Sequence, residues 1–183
     1  MAKRTTIKVS DKSTMTGKES PVCSALLIMG SWKNSFTDIQ SNIIIAEALN
    51  TCNYDKVFKL SGYMISQKRV FLVLKLQQDD LHSKMLMFNQ HLLAEIRKQL
   101  VFISSQVPEM TAQDLLQPDL KKLFRQYILK DQSLIRLLTG ERVELPYYDP
   151  KLERLKHQVN SNPFCSVIDY SGAKGPVVIH IKN

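Results

Sequence analysis

Residues 57–100 read VFKLSGYMISQKRVFLVLKLQQDDLHSKMLMFNQHLLAEIRKQL. The first half of this stretch holds two strand-like runs, 57–64 and 69–76, and Ser66-Gln67-Lys68 between them reads as a short hairpin turn. Successive strand side chains point to opposite faces. Val70, Leu72, Leu74 and Leu76 therefore share one uniformly apolar face, and Arg69, Phe71, Val73 and Lys75 share the other. At Asp79 and Asp80 the period changes. Leu81, Met85, Phe88, Leu92, Ile96 and Leu100 recur every three or four residues, the spacing of an amphipathic helix. Leu72, Leu74, Phe88 and Leu92 are expected in one core.

Upstream, residues 25–32 form a short apolar run that reads as a buried strand, and residues 39–49 carry a helical apolar pattern. The order strand, helix, strand, strand, helix opens a ferredoxin-like fold, in which helices cover one face of an antiparallel sheet. The expected fold class is therefore α+β, a ferredoxin-like antiparallel sheet with helices on one face, plus a C-terminal helix and strand extension. Residues 1–24 read as a flexible basic tail, 25–105 as the core, and 106–183 as the extension packed on it. In the extension, Thr111 with Asp114 starts a short helix that Pro118 ends, and 120–138 reads as one amphipathic helix. Asp149-Pro150 starts a helix bearing Leu152, Leu155 and Val159, because a capping carboxylate followed by Pro suits a first turn. Residues 165–170 and 177–181 read as strands.

At 183 residues and 44% hydrophobic content, the chain is long enough for one domain with a substantial core. No apolar run approaches the roughly 20 residues of a membrane span, and residues 1–20 lack the apolar stretch of a secretory signal. Cys23, Cys52 and Cys165 are odd in number and form no CxxC pair, so a reducing cytoplasm is expected and neither a disulfide framework nor a zinc site is. The net charge of +8 favours a polyanionic partner. It divides as +3, +3 and +2 over residues 1–24, 25–105 and 106–183, so no dedicated basic arm stands out. Phosphate-binding glycine loops, GxSxG and HExxH are absent, and His82, His91, His157 and His180 are not at metal-ligand spacing. No cofactor or metal is expected.

Three pieces of residues 36–100 resemble the single-tyrosine HUH transposases, especially those associated with repetitive extragenic palindromes. SFTDIQSNIIIAEAL (35–49) looks like the family's F-x-D and following helix. FKLSGYMISQKRVFLVLKL (58–76) looks like its hairpin, and DDLHSKMLMFNQHLLAEIRKQL (79–100) like its tyrosine-bearing helix. In the family, an H-x-H in the hairpin holds a divalent cation and the helix tyrosine attacks the scissile phosphate. Here the two histidine positions carry Arg69 and Phe71, and the tyrosine position carries His91. A protonated arginine and a phenylalanine offer no lone pair to a metal, so the resemblance implies binding of single-stranded or hairpin DNA without cleavage. It is compatible with a monomer or a homodimer.

With a turn at 66–68, Ile65 is expected opposite Arg69, Tyr63 opposite Phe71, and Lys59 opposite Lys75. One face would then carry Lys59, Tyr63, Arg69, Phe71 and Lys75, aromatic rings among cations, the composition that stacks bases and holds phosphates. The alternative is that residues beyond Leu100 cover this face, leaving a protein-interaction or scaffold protein. A third reading, an enzyme built on His91, lacks a second catalytic group placed beside it.

Overall fold

The computed structural model describes residues 22–106 and 122–181. The expected tail and the short helix at Thr111 lie wholly or mostly outside them. Strand β1 (Val22–Met29) buries alternate residues, and Cys23, Ala25, Leu27 and Met29 point into the main core. A 3-10 turn, Ser31–Ser35, then drops Trp32 into that core, where its Nε1 donates to Leu123 O at 2.9 Å. Helix α1 (Asp38–Tyr54) begins at a capping box: Gln40 N–H donates to Thr37 Oγ1, and Gln40 Oε1 accepts from Thr37 N–H. Strands β2 (Lys59–Ser66) and β3 (Arg69–Lys75) form the hairpin, and helix α2 (Leu81–Gln106) follows.

The fourth strand, β4 (Phe124–Ile128), pairs with β1. The sheet order is β2-β3-β1-β4 with every neighbour antiparallel, the arrangement of a ferredoxin-like α+β fold. Helices α1 and α2 cover one face. Leu72, Leu74, Phe88 and Leu92 are all fully buried in the cluster they share, as the change of period predicts. Gly30 is needed where β4 begins, since a Cβ there would stand 1.9 Å from Lys122 O.

Residues 120–138 do not form one helix. Residues 124–128 pair along β1, and α3 (Gln132–Leu138) follows, capped by the Asp131 side chain on Leu134 N–H. The leucines and aromatics of this stretch suit either period, and the unpaired edge of β1 decides between them. Helix α4 (Pro150–Asn160) starts at Asp149 as expected. Residues 165–170 are not a strand: Cys165 makes a single bridge to Met64, and a one-turn helix, α5 (Val167–Tyr170), follows. Residues 177–181 run extended along the outer edge of β2, bonded through His180 N–H to Leu60 O, without forming a regular strand.

The extension covers part of the second sheet face. Met64, Phe71 and Val73 share a second core with Leu129, Leu134, Leu138, Val159 and Cys165. Among the described residues no helix is long and apolar enough to cross a membrane.

Candidate functional site

The five residues expected to share one open face do not do so. The hairpin turn has two residues, Gln67 and Lys68, so Ser66 pairs with Arg69, Met64 with Phe71, and Tyr63 with Leu72. A slip of one residue turns every side chain to the opposite face. Tyr63 therefore points to the helix side, wholly buried, where its hydroxyl oxygen accepts from Val177 N–H at 3.3 Å. Burial, with the nearby Asp169 charge adding to it, holds its phenol well above the ordinary 10.0. An irregularity between Leu60 and Gly62 takes up the extra residue, and so Lys59 still faces Lys75 as expected.

Phe71 is 8% exposed and belongs to the second core, so the covered alternative holds at this position. Lys59 is exposed and Lys75 half-buried at one end of the hairpin, and Arg69 is exposed at the other. Six residues of strand separate Arg69 from Lys75, roughly 20 Å. His91 lies in the helix layer, with Nε2 3.5 Å from Asp55 Oδ2. Arg69, Phe71 and His91 are thus not gathered around one point. Among the described residues no cluster of His, Cys, Asp and Glu forms a metal-binding group.

The sheet brings together a different set. Ile28 of β1 pairs with Arg69 on one side and with Arg125 on the other, so the two arginines flank it on one face. The next row on that face is Phe71, Leu26 and Tyr127. Tyr127 is 48% exposed, and Arg125 is exposed beside it. Neither arginine has an ion pair with a described residue. The second core thus covers Met64, Phe71 and Val73 on this face, with Leu26 packed against it, and leaves Arg69, Arg125 and Tyr127 exposed.

Arg69 also lines an open cleft of about 570 Å³ at the hairpin tip, together with Lys68, Gln158 and Asn162. Asn42 lines the same cleft, and its buried Oδ1 has no hydrogen-bond partner among the described residues. Arg125 and Tyr127 lie in a segment whose apolar spacing reads as a helix, which hides them as members of a sheet face. The usable signal is Phe124, Tyr127 and Ile128, aromatic and β-branched residues gathered just before the helix cap Asp131. Comparison with protein-family models, with curated proteins and with solved structures finds no match to this chain.

Proposed function

We propose that this chain binds single-stranded or hairpin nucleic acid without cutting it, through the part of the sheet face between Arg69 and Tyr127 that the second core leaves exposed. The observation that carries this reading is the row Arg69–Ile28–Arg125 beside the exposed ring of Tyr127. Two strand spacings put the arginines' backbones roughly 10 Å apart. Arginine side chains are long enough to bring both guanidiniums onto phosphates of one strand from that spacing, and a base released from pairing stacks on the tyrosine. The net charge of +8 adds long-range attraction. Absence of cutting rests on the resemblance, which places Arg69, Phe71 and His91 at the positions of its metal ligands and nucleophile. Three buried free cysteines favour a reducing compartment, and we assign the protein to the cytoplasm on that ground.

The test is titration of labelled single-stranded and hairpin DNA at two salt concentrations. Tyr127→Ala is expected to weaken binding by the roughly 1–3 kcal/mol of one stacked base. Arg125→Ala and Arg69→Ala should weaken it and reduce the salt slope. Lys59→Ala removes the same charge from the far end of the hairpin and should leave affinity close to wild type. Equal effects of Lys59→Ala and Arg125→Ala, or no binding at low salt, overturn the reading. A protein-interaction role is the second reading, favoured by the second core that covers Met64, Phe71 and Val73. It gains if the chain remains folded and fails to bind either DNA.

A further inference from the structure

The cleft at the hairpin tip is lined by three parts of the chain that the fold holds in place. They are the start of α1 with Ile39 and Asn42, residues 66–69 of the tip, and residues between Gln158 in α4 and Phe164 beyond it. The last of these is clamped to β2. Asn162 Nδ2 donates to Ile65 O at 2.9 Å, and its Oδ1 accepts from Phe164 N–H at 2.8 Å. Ile65 N–H in turn donates to Phe164 O at 2.9 Å. The tip is anchored as well, since Met29 N–H donates to Lys68 O at 3.0 Å. Walls tied down by such bonds are formed before a ligand arrives, as in most small-molecule sites.

The chemistry of the lining is one-sided. Its charged residues are Lys68 and Arg69, and none of the lining residues is Asp or Glu. Neither cation has an ion pair with a described residue. Ile39, Pro163 and Phe164 add apolar surface. At about 570 Å³ the cleft lies within the roughly 300–1,000 Å³ of small-molecule sites, and cations beside apolar surface suit a phosphate joined to a flat ring. Asn42 supplies a selective group. Its Oδ1 is buried with no hydrogen-bond partner among the described residues, and an acceptor left in that state is satisfied when the amide turns toward a donor in the cleft. Arg69 belongs both to this cleft and to the row with Ile28 and Arg125. We propose that the cleft takes one unpaired nucleotide of the bound strand, with its phosphate on Lys68 and Arg69 and its base against Ile39 and Phe164. Asn42 Oδ1 accepts from an exocyclic amino group, so the cleft favours bases that carry one over uracil and thymine, which do not. This rests on the nucleic-acid reading of the row: phosphate contacts there position the strand, and the cleft reads a base.

The test compares labelled oligo-dC and oligo-dU of equal length on the full-length chain. Their bases are alike in size and present opposite donor and acceptor patterns at the amino and ring-nitrogen positions. Oligo-dC is expected to bind about fivefold tighter or more, the scale of one well-placed hydrogen bond. In Asn42→Ala, a substitution that suits a helix, the preference should fall below about twofold. Tyr127→Ala should weaken both strands and keep the preference, because stacking on the exposed ring does not depend on the amino group. Equal affinities of the wild-type chain for the two strands, or a preference that survives Asn42→Ala, overturn the cleft and leave the row standing. Binding of neither strand at low salt overturns the row and the cleft together.

Discussion

Ser166 has no exposed surface, and its hydroxyl ties two elements together. Its Oγ accepts from Tyr63 N–H at 3.0 Å and donates to Leu138 O at 2.7 Å, joining the edge of β2 to the end of α3. Removing that oxygen leaves a buried donor and a buried acceptor without partners. Ser166→Ala should therefore cost about 1–3 kcal/mol in chemical denaturation, and a loss under about 0.5 kcal/mol would refute this role. Gly62 guards the same junction by having no side chain. A Cβ there would stand 2.5 Å from Leu138 O and 2.9 Å from its carbonyl carbon, and backbone cannot swing aside as a flexible side chain does. Gly62→Ala should cost about 1–3 kcal/mol by forcing α3 away from the sheet. Because both substitutions act on Leu138, their effects in the double variant should fall short of additive, which a denaturant cycle measures directly.

At the level of elements, α3 and α4 decide which part of the second sheet face stays accessible. Phe71 lies in one cluster with Leu134, Leu138 and Val159, so Phe71→Ala should destabilise the protein by about 3–5 kcal/mol, measured by urea unfolding. A folded variant with wild-type stability would mean that the ring is not held between the sheet and these helices. The hairpin and α2 were legible because their apolar residues change period at Asp79, and that pattern admits one assignment. Three features were not. The turn at Gln67 and Lys68 lacks a Gly or Asn to mark its length, so the face of Tyr63 depended on a one-residue choice. The irregularity near Ser61 has no sequence mark beyond Gly62 itself. Strand β4 is five residues long, and only Phe124 in it is buried, so burial imprints almost no alternation on it. The same shortness hid Arg125 and Tyr127, and with them the surface now proposed for nucleic acid. The extended segment at 177–181 was visible as an apolar run, but its partners on α1, Asn50 and Asn53, have no local signature.

Across the described residues, burial holds several thiols and phenols protonated above their ordinary range, and this shapes how stability responds to high pH. Burial pushes the Cys52 thiol from an ordinary 9.0 up to about 12, with the Asp55 charge adding to the shift. Burial likewise pushes Cys165 up to about 11. Tyr63 and Tyr170 are raised above 10.0, again mainly by burial. In the unfolded chain these groups lose protons at their ordinary values, while in the folded chain they keep them. Below pH 9 both states hold the protons, and their contribution to stability is full and flat. Above pH 9 the unfolded chain binds fewer protons than the folded one, so stability falls as pH rises toward the folded values. Each group adds a slope of up to about 1.4 kcal/mol per pH unit over its window. Self-repulsion is smallest near the isoelectric point of about 9.4 and grows again above it, so the comparison of slopes with and without the Cys52 thiol is what isolates the buried group. In reductant, the thermal midpoint should therefore hold level from pH 7 to 8.5 and drop clearly by pH 10.5. Cys52→Ala will lower the midpoint everywhere through the cavity it leaves, so the informative quantity is the slope above pH 9. That slope should be shallower than in the wild-type chain. An unchanged slope would remove Cys52 from the explanation, and a level midpoint through pH 10.5 would show that these groups are not held protonated by the fold.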